Sequence, residues 1–157
     1  MPESVYIETT VVSYLTARPS RDLVIRAHQQ LTRKWWVTRR DDFELFVSPL
    51  VLQEAGAGNP LMARRRVQAL RGVPVLAPTQ EAVELARALV QEGPIPPKAE
   101  VDALHVAVAA VHGIEYLLTW NCAHIANALM RSSIEAICRR MGYEPPVTCT
   151  PEELMGE

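Results

Sequence analysis

The stretch that most constrains the fold is Lys98 to Asn127, KAEVDALHVAVAAVHGIEYLLTWNCAHIAN. Val101, Leu104, Val108 and Val111 recur at i, i+3, i+7 and i+10, one stripe of a helix. Ala103, Ala107 and Ala110 make a second stripe, of small residues that let a neighbouring backbone come close. A helix apolar on two sides belongs in the middle of a fold. His112-Gly113 supplies the stop. Tyr116 to Trp120 is then a short apolar run without alternation, as expected of a strand covered on both faces of a parallel sheet. The spacing predicts a helix, a tight turn, a buried strand and a second helix start. Asp102 falls near the opening of the first helix. Asn121 falls just past the strand, at the carboxyl end where open α/β sheets bind ligands.

The rest of the chain alternates in the same way. Ser4 to Glu8 is a short strand ending in an acid, and Thr9-Thr10 is expected to cap a helix that turns Val11, Val12 and Leu15 inward. Arg21 to Val37 is a long helix with Val24, Ala27, Leu31 and Trp35 on its inner stripe; Trp36, off that stripe, is expected to pack or to meet a second copy. Glu44 to Ser48 is a second strand, followed by a helix opened by Pro49 that carries Glu54. Asn59-Pro60 starts another helix, with Ala63, Val67 and Leu70 inward and Arg64 to Arg66 mostly outward. Val73 to Leu76 is a brief third strand. Thr79 caps a helix with Val83, Ala86, Leu89 and Val90 on its apolar face, and Gly93 to Pro97 is a surface loop. Ala126, Met130, Ile134, Ile137 and Met141 mark a last helix, and Pro146 to Cys149 a last strand. This alternation predicts an α/β protein, a three-layer α/β/α arrangement around a central parallel sheet of about five short strands. Residues 1–150 are expected to form a single domain and residues 151–157 a mobile tail.

Composition narrows the setting. No apolar run approaches the ~20 residues of a membrane span, and MPESVYIETT lacks the form of a secretory signal. The three cysteines are too few and scattered for a disulfide framework or a zinc site. A cytoplasmic protein with free thiols is the expectation. The net charge of −2 gives no bulk sign of a nucleic-acid binder. Basic pairs and runs such as Arg18/Arg21 and Arg64 to Arg66 are, on general grounds, solvated helix faces.

Three acids stand at equivalent switches between strand and helix: Glu8, Glu54 and Asp102, joined by Thr119 and Asn121 from the strand in the central stretch. Carboxylates brought together repel unless a proton or a cation intervenes. Hard oxygen ligands with open water positions suit Mg²⁺ or Mn²⁺, and such an ion supports phosphodiester hydrolysis. Taken singly, each acid is more often a cap or a surface charge, Asp102 being favourable beside a helix N-terminus. His105, at i+3 from Asp102, is expected in a core or hydrogen-bonding role ahead of a ligand role, and His124 either touches phosphate or caps a turn. No nucleophile elbow, P-loop or dinucleotide fingerprint is present. A phospho-acceptor receiver domain needs an acid at the third strand end, and VPVLAPT has none.

VYIETTVVSYL, the helix acid in LVLQEA, VDALHVAVAA and YLLTWNCAHIANA, in this order and spacing, resemble a PIN domain, most of all the VapC-type toxins of bacterial toxin–antitoxin pairs. The resemblance runs over about residues 3 to 150. It implies a PIN-like sheet flanked by helices and an acidic pocket holding Mg²⁺ or Mn²⁺. It also implies endoribonuclease activity on single-stranded RNA, a homodimer, and inhibition by a small cognate antitoxin protein. Glu8 falls at the family's first acid, usually Asp; Glu54 and Asp102 match its second and third, and Asn121 its fourth, often Asp. Thr119 matches the hydroxyl residue two positions earlier. The implied catalytic set is Glu8, Glu54, Asp102 and Asn121, with the first three on the metal; beside it, Thr9 and Thr119 are expected substrate contacts, and Arg18, Arg21 or the Arg64 to Arg66 run is expected to line the path of the RNA backbone. Two departures bear on activity. Glu8 is one methylene longer than Asp, so the pocket must make room. Asn121 keeps an oxygen but loses a charge, which weakens a second cation more than a first. The other expectation is a catalytically silent PIN-fold binding module that keeps the antitoxin or RNA interaction.

Overall fold

The run Val5-Tyr6-Ile7 is wholly buried, and it forms the end of strand β1 (Glu3–Ile7). In the computed structural model, which describes residues 2–156, β1 lies inside a four-stranded, all-parallel sheet ordered β2-β1-β3-β4. Strand β2 (Phe43–Phe46) pairs with one side of β1, setting Val5 opposite Leu45; β3 (Tyr116–Leu118) pairs with the other, setting Ile7 opposite Leu118. Strand β4 (Val147–Cys149) pairs with β3, setting Leu118 opposite Cys149. Leu117 and Leu118 are both fully buried. Consecutive apolar residues without alternation are what helices on both faces require.

The sheet has four strands rather than about five. The expected third strand, Val73 to Leu76, makes only an isolated parallel bridge between Val75 and Val47. Its hydrogen bonds run from the Val47 amide to the Pro74 carbonyl (3.0 Å) and from the Leu76 amide to the Val47 carbonyl (2.7 Å). Pro74 has no N–H to continue a ladder and Pro78 follows closely, so the pairing ends after one step.

Among the described residues there are seven α-helices: α1 (Thr9–Thr16), α2 (Leu23–Thr38), α3 (Pro49–Ala55), α4 (Pro60–Ala69), α5 (Gln80–Gln91), α6 (Glu100–Val111) and α7 (Ala128–Arg140). They pack in two groups, α1 against α2, α3 and α4, and α5 against α6 and α7. With the sheet they form the three-layer α/β/α arrangement. The start of α1 differs from expectation: Glu8, not a threonine, is the N-cap, and its carboxylate accepts from the Thr10 amide at 3.2 Å. In α2 the inner stripe is rotated. Asp22 caps the helix, Gln29, Thr32 and Trp35 are buried, and Val24 is 63% exposed. In α6 the small-residue stripe wins. Ala103, Ala107 and Ala110 are buried against neighbours while Val101 is 42% exposed. The residues 122–126, expected to start a helix directly, form turns, and α7 begins only after the Asn127 cap.

Beyond β4 the chain turns back on α2, with the Trp35 indole N–H donating to the Leu154 carbonyl at 3.1 Å. Residues 1 and 157, the outermost of the expected domain and tail, lie outside the described residues. Among the described residues no helix is long and apolar enough to cross a membrane.

Candidate active site

Glu8 stands where β1 becomes α1. Its amide still donates to the Leu118 carbonyl (3.1 Å), which fixes its backbone to the sheet edge. Its side chain is almost fully buried. Oε1 accepts from the hydroxyls of Thr10 and Thr119, both at 2.5 Å, and Oε2 from the Thr10 amide. The additional methylene of Glu relative to Asp lets the carboxylate curl back over the first turn of α1, so one residue is both helix cap and pocket acid.

Glu54 comes in from α3, on the far side of β1 from β3. Its Oε1 accepts from the Thr9 hydroxyl (2.6 Å) and lies 2.7 Å from His105 Nε2. Partial burial works against ionisation of Glu54, but the hydrogen bonds from His105 and Thr9 outweigh it and hold the carboxyl below its ordinary value. His105, fully buried on α6, has Nδ1 2.6 Å from the Tyr6 hydroxyl, which in turn lies 2.7 Å from Ser48 Oγ. Burial pushes the Tyr6 phenol well above its usual range, the charges of Glu8 and Glu54 adding to the effect and the Ser48 bond opposing it. Glu8, Glu54 and His105 each offer one ligand-type atom, and all three atoms lie within 4.8 Å of one another.

Asp102 stands beside this trio rather than in it. Its Oδ2 is 3.1 Å from His124 Nδ1. The His124 amide donates to Asn121 Oδ1 (3.1 Å), and the Asn121 amide donates to the Thr119 hydroxyl (2.8 Å), the same hydroxyl that donates to Glu8. A continuous chain of hydrogen bonds therefore links Asp102 to Glu8 through His124, Asn121 and Thr119. The Asn121 side chain ties down the turn that follows β3, which is also closed by bonds from the Ile125 and Ala126 amides to the Asn121 carbonyl.

The structure thus brings Glu8 and Glu54 together and puts Thr119 and Thr9 on them as hydrogen-bond donors. Arg18 and Arg21 are exposed. Three contributors were not anticipated: Thr10, Tyr6 and Ser48. The signal for Tyr6 was legible in principle, as a phenol in an otherwise aliphatic strand core needs a polar partner. Two arginines serve the pocket from behind. Arg66, expected outward, donates to the carbonyls of Ala55 (2.8 Å) and Ala57 (2.6 Å) at the end of α3, and Arg33 donates to those of Leu15 (3.4 Å) and Ala17 (2.6 Å) at the end of α1. Each pins the helix that delivers an acid or its threonines.

The donors fit a hard divalent cation. Two carboxylates converge with no Lys or Arg paired to either among the described residues, and each is steadied on one oxygen by neutral hydroxyls. Oxygen-rich sets of this kind suit Mg²⁺ or Mn²⁺.

A family model described as "PIN domain" matches residues 5–121. No curated protein matches the sequence. Among solved structures, one chain of the VapBC2 complex from Rickettsia felis, bound to a DNA fragment from its promoter, is similar. The likeness covers 94% of this chain and 98% of that one, with a TM-score of 0.57 at 13% identity. At that identity the likeness speaks for the fold.

Proposed function

This chain belongs to the PIN domain family, a family of nucleases, and on that premise we propose that it is a metal-dependent endoribonuclease cleaving single-stranded RNA, the toxin of a toxin–antitoxin pair. The observation that carries the reading is the convergence of Glu8 and Glu54 within 4.8 Å at the carboxyl edge of a parallel sheet, each held by threonine hydroxyls. Glu8, Glu54 and Asp102 are the residues proposed to hold the ion. When bound, Mg²⁺ or Mn²⁺ supplies Lewis-acid polarisation of the phosphodiester and lowers the pKa of the attacking water. Thr9, Thr10 and Thr119 fix the carboxylates beforehand, so little reorganisation is left for the reaction. Asn121, anchored by its side-chain oxygen to the His124 amide, presents its amide NH₂ as a donor to the scissile phosphate. Arg18 and Arg21 offer exposed cations to the RNA backbone. The acting unit is one domain over residues 1–150, working in the cytoplasm as a homodimer; Leu23 (81% exposed) and Val37 (79% exposed) at the ends of α2 are apolar surface available to a partner. The similar Rickettsia felis chain is part of a VapBC2 complex, which supports a small cognate antitoxin as the inhibitor.

Cleavage of a mixed set of single-stranded and structured RNAs tests this. Wild type should cut with Mg²⁺ or Mn²⁺ and fail with EDTA, while Glu54→Gln and Asp102→Asn stay folded and lose at least about a hundredfold in rate. Wild-type rates in both variants contradict the assignment. A second reading, a silent PIN-fold binding module, is favoured by Asn121 at the fourth acid position and by the engagement of Asp102 with His124 at 3.1 Å. Absence of Mn²⁺ binding at millimolar concentration in calorimetry decides for it.

A further inference from the structure

Ser48, Tyr6, His105 and Glu54 form one line of hydrogen bonds drawn from the α3 cap, β1, α6 and α3. Their hydrogens can be placed by counting. Ser48 is fully buried, and among the described residues its hydroxyl has one side-chain partner, the Tyr6 oxygen at 2.7 Å. A buried hydroxyl hydrogen without an acceptor is costly, so Ser48 donates to Tyr6. Tyr6 has a single hydrogen, which is then free to go to the atom at 2.6 Å, His105 Nδ1. That nitrogen must accept, so it carries no hydrogen. The ring's hydrogen is on Nε2, which faces Glu54 Oε1 at 2.7 Å, and an ionised carboxylate can only accept. Any other placement leaves a buried hydrogen without an acceptor or sets two hydrogens face to face. With Thr9 and His105 both donating to Oε1, the Oε2 oxygen of Glu54 is the one left for other partners.

We propose that His105 is a positioning residue and not a metal ligand: a neutral imidazole, hydrogen-bearing at Nε2, held by the Ser48–Tyr6 hydroxyl pair so that it clamps one oxygen of Glu54 and turns the other toward the ion. The consequence for metal binding rests on the reading of Glu54 as an ion-facing carboxylate; the placement of the hydrogens does not. A ring nitrogen of His105 lies within 4.8 Å of both acids, yet Nε2, the atom that faces Glu54, has no lone pair to give while the clamp is in place, and Nδ1 spends its own on Tyr6. Outer partners of this kind are worth roughly ten- to a hundredfold in metal affinity.

Nitrogen NMR on metal-free, ¹⁵N-labelled protein tests the placement. Long-range proton–nitrogen correlations should show His105 with a hydrogen-free Nδ1 and a hydrogen on Nε2 in wild type, and a loss of that single pattern in Tyr6→Phe. A hydrogen on Nδ1, alone or together with Nε2, overturns the proposal, whether or not the protein cuts RNA. Mn²⁺ calorimetry with spin-echo EPR tests the consequence. The bound Mn²⁺ should show no directly coordinated ring nitrogen. Tyr6→Phe, which leaves every candidate ligand in place, should lower affinity about tenfold, and His105→Gln, whose amide N–H can replace Nε2–H, should restore most of what His105→Ala loses. A directly coordinated nitrogen, or unchanged affinity in Tyr6→Phe and His105→Ala, overturns it. Absence of Mn²⁺ binding in wild type contradicts the ribonuclease reading, and with it the metal-orienting half of the proposal, while the NMR result still decides the hydrogen placement.

Discussion

Glu54 is the carboxylate most open to solvent in the pocket, and its environment makes it a measurable reporter. Its carboxyl titrates below the ordinary value of 4.5 because His105 and Thr9 donate to the ionised form and outweigh partial burial. A group whose pKa is lower in the folded state adds stability above its unfolded pKa and loses it as pH falls through the folded one. The urea midpoint of wild type should therefore fall as pH drops below about 4.5, and Glu54→Gln should fall less steeply over that range. Equal slopes contradict the assigned hydrogen bonds. At this scale the sequence showed which acids lie near the sheet edge, of which the structure brings Glu8 and Glu54 together and leaves Asp102 on His124 beside them, and it showed nothing of their support. The repeated strand-end position singled out Glu8, Glu54 and Asp102. Nothing in spacing showed that Thr10 and Thr119 would share one oxygen of Glu8, because the Thr119 contact depends on how β1 and β3 register and the Thr10 contact on Glu8 serving as the α1 cap. The preference for His105 as a hydrogen-bonding core residue agrees with its place between Tyr6 and Glu54.

At the level of elements, periodicity located nearly every helix and most strands, and failed where packing chose the face. On α6 the expected stripe is split, Val101 being 42% exposed and Val108 fully buried, while Ala103, Ala107 and Ala110 are all buried. The rotated face of α2 has a polar cause. Thr32 is fully buried because its hydroxyl accepts from the Trp120 indole at 2.7 Å while donating to the His28 carbonyl at 2.6 Å. No hydrophobic count would select a threonine there. The loop after α5 was expected at the surface, yet Ile95 is 1% exposed, and Gly93 beside it permits a tight approach. A Cβ on Gly93 would lie 2.5 Å from the Leu89 carbonyl oxygen and 2.7 Å from Ile137 Cδ1. Gly93→Ala should accordingly cost about 1–3 kcal/mol, seen as a lower Tm with an unchanged urea m-value. A Tm equal to wild type would contradict the close approach of Gly93 to the Leu89 carbonyl and Ile137.

For the whole molecule, a parallel sheet with both faces covered gathers loop ends at one edge, and there the acids collect. The net charge of −2 hides how the basic residues are used. Arg33 and Arg66 spend their guanidinium groups on helix-end carbonyls, while Arg18 and Arg21 remain exposed. Affinity for single-stranded RNA should fall with salt, and Arg18→Ala and Arg21→Ala should each reduce the slope of log K against log salt by about 0.7. Arg66→Ala should leave that slope unchanged and lower stability instead. On the proposed function, Glu8 and Glu54 together hold a divalent ion at this edge. The most direct measurement is anomalous diffraction from crystals of the wild-type protein grown with Mn²⁺. The expected result is a manganese peak in contact with carboxylate oxygens of both Glu8 and Glu54 and separated from the His105 ring by Glu54. Data that place manganese elsewhere, or show none at saturating concentration, would contradict it.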